Sequence, residues 1–267
     1  MMINGLRINV LVCDTNGERK KVASDAPIAL VLHGGLSDNL STYYTTIAST
    51  LTKLGMNIIL YDRAGYGRSE YGPGCFNLKR IFLDIDTILD GVGADREVHL
   101  IGSSFGAGLA AGYVAIRSER AASLALLEGQ PPTAAWRENF ASLLRNMRQN
   151  IDDVVAHYDK NSDLSMKVIA RMRSMIMDRT YLEDIESSDL PTAEQLSAIS
   201  VPSLGIYGAD STHGAYEGTV ESMGHMKNLR IEVIPHASHF LLYEALPTLK
   251  SFLHDFYSGP GILDRRG

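Results

Sequence analysis

At 267 residues, 45% hydrophobic and 21% charged, the chain has the length and composition of an ordinary soluble globular protein with one substantial core, read as a single domain over 1–267. Its 25 basic and 31 acidic residues leave a net charge of −6, which argues against a general nucleic-acid binder, and two cysteines, Cys13 and Cys75, form neither a disulfide framework nor a metal-ligand spacing. No cationic start precedes an apolar run and no stretch reaches about eighteen consecutive apolar residues, so neither export nor membrane spanning is expected, and the expected location is cytoplasmic.

From Ile3 to Asp14 the chain alternates weakly and then meets Thr15-Asn16-Gly17, a turn signal that predicts a hairpin at the start of the sheet. Ile28 to Leu32 (IALVL) reads as a central buried strand leading into His33-Gly34-Gly35-Leu36-Ser37, where glycines after a strand let the backbone turn its N–H groups toward a site. His33, at the strand's end, reads as a pin for that loop rather than as a catalyst. A helix is predicted over Ser41 to Leu54, a second buried strand over Asn57 to Tyr61, then the loop Asp62-Arg63-Ala64-Gly65-Tyr66-Gly67-Arg68-Ser69, with Asp62 and Arg63 expected to brace it by a local ion pair. Leu78 to Leu89 has a helical pattern.

Val98 to Ser118 is the most informative stretch. A short branched apolar run enters Gly102-Ser103-Ser104-Phe105-Gly106 and leaves as a run of small residues with helical character. This is G-x-S-x-G on a strand-to-helix turn, the setting of a nucleophile elbow, where the turn is tight enough to hold the central residue in a strained conformation with its side chain exposed. Ser104 is the candidate nucleophile; Ser103 lacks a glycine two residues before it. The N–H of Phe105, in the first turn of the helix, has no intrahelical partner and is available to an anion.

A further strand over Ala122 to Leu127 ends at Glu128. The strand-helix-strand alternation requires crossovers, which put helices on both faces of a mostly parallel sheet and ligand sites at the carboxyl ends of its strands. His33, Ser104 and Glu128 all fall at such ends. From Trp136 to about Leu182 strand-like runs give way to charged amphipathic helices that hold Met147, Met166, Met172, Met175 and Met177, adaptable apolar side chains suited either to lining an acyl pocket or to gluing helices together. Strands resume at Val201 to Tyr207, followed by Gly208-Ala209-Asp210, and at Arg230 to Ile234, followed by Pro235-His236-Ala237-Ser238-His239-Phe240; a helix over Glu244 to Tyr257 closes the pattern.

HGG after one strand, DRAGYGRS after the next and GSSFG in an elbow, in that order, resemble the α/β-hydrolase family. The resemblance implies a twisted, mostly parallel sheet with helices on both faces and a helical lid inserted over about 131–195. It implies a triad of Ser104, Asp210 and His239, with an oxyanion hole from the backbone N–H groups of Gly35 and Phe105. Two departures stand out: the loop of the acid is G-x-D rather than G-x-x-D, and Ser238 occupies the place where glycine usually precedes the histidine. Glu128 is the rival acid, since some relatives carry theirs after the strand that follows the elbow helix. Against His236, His239 fits the family pattern better.

The reaction expected is hydrolysis of a carboxylic ester through an acyl-enzyme, on a small-molecule acyl substrate, with no cofactor, no metal, no nucleic acid and no membrane. One alternative is a thioesterase acting on an acyl carrier protein, to whose acidic surface Arg137, Arg145, Arg148, Arg171 and Arg173 would offer cations. Another is a non-catalytic small-molecule receptor that keeps the pocket. The fold alone does not choose among substrates.

Overall fold

The computed structural model describes residues 1–15, 22, 25–36, 38–161, 166–211, 223 and 226–263, except for the side chains of 157–161, 167–168 and 179. A two-stranded antiparallel ribbon, β1 (Met2–Ile3) and β2 (Leu6–Arg7), precedes β3 (Val10–Cys13), the antiparallel edge of a sheet that has seven strands among the described residues. The hairpin therefore turns at Asn4-Gly5, both at positive φ, and lies earlier than predicted. Asn16 and Gly17 of the predicted turn lie outside the described residues.

The remaining strands are parallel: β4 (Ile28–Leu32), β5 (Asn57–Tyr61), β6 (Val98–Ser103), β7 (Ala121–Leu127), β8 (Ser203–Gly208) and β9 (Leu229–Ile234), in the spatial order β3-β5-β4-β6-β7-β8-β9. β4, β5 and β7 are buried along their whole length, because helices cover both faces of the sheet and both sets of alternating side chains must be apolar. Ile28, Leu30 and Leu32 join one core with α3 (Leu78–Val92) and α4 (Phe105–Ile116). Ala29 and Val31 face the other, with α1 (Leu40–Thr46), α2 (Ala48–Lys53) and the last helix, Leu246–Tyr257. Each fully buried Leu or Ile in these layers contributes about 1.5–3 kcal/mol of transfer free energy.

The helix predicted over Ser41 to Leu54 is two helices meeting at Ile47. Thr45 and Thr46 return their hydroxyls to the carbonyls of Ser41 and Thr42, a back-bonding pattern that bends helices. Among the described residues between β7 and β8 lie five helices, α5 (Ala134–Gln149), α6 (Ile151–Asn161), α7 (Met166–Met177), α8 (Arg179–Glu186) and α9 (Ala193–Ser197), where the lid is expected. Among the described residues no helix is long and apolar enough to cross a membrane.

The chain visits β4 and β5 on one side and then returns past β4 to β6, so the strand order reverses between β4 and β6. At such a switch point the loops leaving two neighbouring strands diverge and open a crevice at their carboxyl ends. The HGG loop leaves β4 and the elbow leaves β6, so both border that crevice.

Candidate active site

Ser104 sits between β6 and α4 with φ 52° and ψ −119°, a conformation that costs a non-glycine residue about 1–3 kcal/mol and persists only where its surroundings enforce it. The enforcement is visible on both sides. A Cβ at Gly102 would strike Gly106 O and come 2.6 Å from Ala107 Cα, and one at Gly106 would strike the carbonyl oxygens of Leu32 and His33, so only glycine lets the helix fold back so closely on its own strand and on β4. The Ser104 N–H is tied to Leu127 O at 2.7 Å.

Ser103 pairs with Leu127 in the register of β6 and β7, so Ser104 and Glu128 emerge side by side, and Glu128 also has a φ of 52°. His239, on the loop after β9, spans the two. Its Nε2 lies 3.0 Å from Ser104 Oγ and its Nδ1 lies 3.1 Å from Glu128 Oε2. Glu128 is 3% exposed and also accepts hydrogen bonds of 2.5 Å from Gly208 N–H and from Ser211 Oγ–H. These donors fix the carboxylate as an acceptor, which assigns the hydrogen on His239 to Nδ1 and leaves Nε2 to accept from Ser104.

This corrects the expectation for Asp210. Its residue is exposed, and its backbone N–H donates to Ala237 O at 2.9 Å, so the loop after β8 meets the histidine loop through main chain and not through the aspartate. Register bears on the exchange: Leu127 is level with Ile206, yet β8 continues to Gly208, whose N–H reaches Glu128.

Ser238, the other departure, has a local account: its N–H and hydroxyl both donate to the Glu244 carboxylate, at 2.6 and 2.8 Å, an anchor that glycine would only half supply. Sequence reasoning missed Gly129, whose Cβ would overlap Ser104 O and come 2.5 Å from Ala107 Cβ. It also missed Tyr207, whose hydroxyl donates to Gly129 O at 2.7 Å. Burial and the nearby charge of Glu128 raise the Tyr207 phenol above its usual range, so it remains a donor. The glycine directly after Glu128 was the only signal available.

Gly35 approaches the elbow closely enough that a Cβ there would lie 3.6 Å from Phe105 Cβ. Among the described residues neither the Gly35 nor the Phe105 N–H has a hydrogen-bond acceptor. His33 is 1% exposed and committed to its loop, with Nδ1 2.8 Å from Gly34 O and Nε2 accepting from Arg63 N–H at 3.1 Å. Burial, with the Arg63 charge as a second cause, holds its pKa well below the usual histidine value, so it is neutral. Asp62 and Arg63 do not pair with each other as expected. Asp62 accepts from Leu40 N–H, Arg68 N–H and the Asn9 amide, whereas Arg63 donates to His33 O and Gly34 O.

The helices after β7 pack against the elbow and against the loop that leaves β5. Trp136 and Phe140 of α5 lie against the Phe105 ring, with centroids 5.3 and 4.7 Å away, and Tyr181 of α8 hydrogen-bonds Tyr66 at 2.8 Å. Arg171 of α7 donates to the carbonyls of Gly65 and Gly67, joining these helices to the DRAGYGRS loop. The other arginines offered to an acidic partner are also engaged internally: Arg137 with Ser188 O, Arg145 with Glu138 and Glu186, Arg148 with Ile176 O and Asp178 O, and Arg173 with Asp152. Met172 and Met175 are buried at 0% and 6% exposure while Met166 and Met177 lie outside at 68% and 45%, a division that favours helix packing. Among the described residues no group of His, Cys, Asp and Glu could hold a metal ion.

Residues 28–167 match the model of the alpha/beta hydrolase fold family. The chain is 22% identical over 262 residues to a lysophosphatidylserine lipase, ABHD12, of Danio rerio, an alignment covering 92% of this chain but 62% of that protein, so the chain spans less than two thirds of this relative's length. Among solved structures it superposes on MGS-M2, an alpha/beta hydrolase enzyme from a Medee basin deep-sea metagenome library, with a TM-score of 0.75 at 14% identity, covering 97% of each chain. It also superposes on an esterase from Exiguobacterium antarcticum with a TM-score of 0.72 at 17% identity, covering 97% of this chain and 98% of that one. The strand order, the elbow after β6 and the family match together lead to one conclusion: the chain belongs to the α/β-hydrolase fold family.

Proposed function

We propose that the chain is a serine hydrolase that cleaves carboxylic esters of small acyl substrates through an acyl-enzyme, in a cytoplasmic setting. The observation that carries the reading is the continuous hydrogen-bonded line from Ser104 Oγ through the two nitrogens of His239 to Glu128 Oε2, with spacings of 3.0 and 3.1 Å. A serine hydroxyl is a weak nucleophile until a neutral imidazole takes its proton. As Ser104 Oγ bonds to the ester carbonyl carbon, its proton passes to His239 Nε2, and Glu128 steadies the imidazolium through Nδ1–H. The carbonyl oxygen becomes an oxyanion that accepts from the N–H groups of Gly35 and Phe105, each such donor typically worth about 3 kcal/mol of barrier.

Collapse of the tetrahedral adduct breaks the bond to the leaving alcohol, which takes the proton from His239 Nε2 and departs. Water then repeats the sequence on the acyl-enzyme: His239 accepts its proton, the hydroxide adds to the acyl carbon, and Ser104 leaves with that proton as the carboxylic acid forms. Ser104 is thus the nucleophile, His239 the base and then the acid, and Glu128 the carboxylate that orients it.

Labelling with a fluorophosphonate probe tests the assignment. Wild-type protein and Ser103→Ala take up the label and Ser104→Ala does not; a label retained by Ser104→Ala removes the nucleophile. A wild-type protein that takes up no label and turns over neither esters nor thioesters, yet is stabilised by a ligand, is a receptor instead.

A further inference from the structure

Two consecutive peptide units, 33–34 and 34–35, carry four polar groups, and three of them are held. His33 O accepts from Arg63 Nη1. Gly34 N–H donates to Asp38 Oδ2 at 2.7 Å and to Tyr43 Oη at 3.2 Å. Gly34 O accepts from Arg63 Nη2 at 2.6 Å and from His33 Nδ1 at 2.8 Å. The fourth group, Gly35 N–H, has no acceptor among the described residues. In a planar trans peptide the C=O and the following N–H point in opposite directions, so holding Gly34 O fixes the direction of Gly35 N–H.

Arg63 is an expensive residue to place here. It is 2% exposed, and among the described residues it pairs with no carboxylate; its charge is met by the two carbonyls and by the faces of Tyr66 and Phe105, whose centroids lie 4.5 and 5.3 Å from its Cζ. A buried cation without a carboxylate partner is costly, so its retention calls for a geometric reason. The planar fork of a guanidinium spans two adjacent carbonyls at once, which a lysine ammonium cannot do with the same rigidity. Its contact with the Phe105 ring also ties it to the residue whose N–H is the second donor.

We propose that Arg63 is a positioning residue that aims the Gly35 N–H at the oxyanion formed on the Ser104 adduct, by clamping the carbonyls of His33 and Gly34 on the opposite side of the same loop. The proposal rests on the serine-hydrolase reading. Because the clamp acts on a group that strengthens its bond only as negative charge develops, its loss falls on kcat and not on substrate affinity.

The test compares wild type, Arg63→Lys and Arg63→Ala on p-nitrophenyl acetate, with thermal melts and with inhibition by a trifluoromethyl ketone, which forms a charged tetrahedral adduct on the serine. Both variants are expected to lose about 10- to 100-fold in kcat with KM within about threefold, to bind the ketone correspondingly more weakly, and Arg63→Ala to regain activity on addition of guanidinium ion at non-denaturing concentration. Folded variants with wild-type kcat and ketone affinity overturn the proposal. Should neither variant fold, a crystal structure of the wild-type phosphonate adduct decides: a phosphoryl oxygen within hydrogen-bond reach of Gly35 N, with Gly34 O still on Arg63, supports it, and a 34–35 peptide turned away from Arg63 overturns it. Failure of the underlying reading has a different signature, since wild type would then form no adduct on Ser104 at all, and the proposal falls with it.

Discussion

Glu128 Oε2 stands 3.1 Å from His239 Nδ1 although 111 residues separate the two in the chain. The contact exists because β7 and β9 flank β8 and the loop leaving β9 folds back over the ends of β8 and β7. If Glu128 orients His239, Glu128→Gln lowers kcat by several orders of magnitude with little change in KM, since an amide can present its N–H to Nδ1 and favour the wrong tautomer. Asp210→Asn, on an exposed residue, retains most of wild-type activity. Steady-state kinetics of both variants on one ester, with melts to confirm folding, check the pair; a dead Asp210→Asn beside an active Glu128→Gln reverses the assignment.

His33 makes a prediction about stability and pH. Its pKa in the folded protein lies well below the usual histidine value because it is buried, with the Arg63 charge adding to the effect, whereas in the unfolded chain it is ordinary. Below about pH 6.5 the unfolded state binds a proton that the folded state does not, so stability rises with pH there; the contribution is complete above the unfolded pKa and is lost as pH falls toward the folded one. The unfolding free energy of wild type, measured in urea between pH 7.5 and 5, is expected to decline with falling pH, and His33→Asn to show a shallower decline. Identical slopes for the two proteins would mean that His33 is not held neutral.

Gly129 offers a steric test. Its missing Cβ leaves room for Ser104 O and for Ala107 Cβ, which would lie 2.5 Å from an added methyl. Both neighbours belong to the elbow and cannot yield as the end of a long side chain could. Gly129→Ala is expected to cost about 1–3 kcal/mol of stability. Because the strain falls between Ser104 and Glu128, kcat should fall with it. A stable variant with full activity, by urea titration and ester hydrolysis, would show that β7 can move away from the elbow freely.

The buried strands and the elbow were legible because their causes are local. IALVL and NIILY are short, apolar throughout but for Asn57 and Tyr61, and rich in branched residues, as strands buried on both faces are, and the glycines around Ser104 meet a crowding set within one turn of chain. The acid was not legible. Glu128 and Asp210 each follow a strand, and the choice between them depends on how far β8 runs past the end of β7, which register decides and spacing within either loop does not. The sequence alone suggests Asp62 as the partner of its neighbour Arg63; the loops from β4 and β5 meet only in three dimensions, where the guanidinium finds the carbonyls of His33 and Gly34. The division of the methionines between β7 and β8 into buried and exposed sets was hidden too, since each lies on an amphipathic helix whose partners come from other segments.

Met172 is fully buried in a cluster with Ile151 and Ile176 against which Leu36 and Met147 pack, so it joins α6 and α7 to the loop that carries Gly35. Truncating it to alanine removes those contacts and leaves a cavity, at a cost of about 2–5 kcal/mol for a buried methionine. Met166→Ala, at 68% exposure, serves as the comparison and should change stability by less than about 0.5 kcal/mol. Leu36 has a φ of 55° directly after Gly35, so slackening its packing is expected to loosen the loop and lower kcat for short and long acyl esters alike. A panel of p-nitrophenyl esters of increasing chain length, measured beside urea unfolding, separates this from a pocket role. If Met172→Ala keeps its stability but reorders the preference among acyl lengths, the side chain contacts substrate and the packing assignment is wrong.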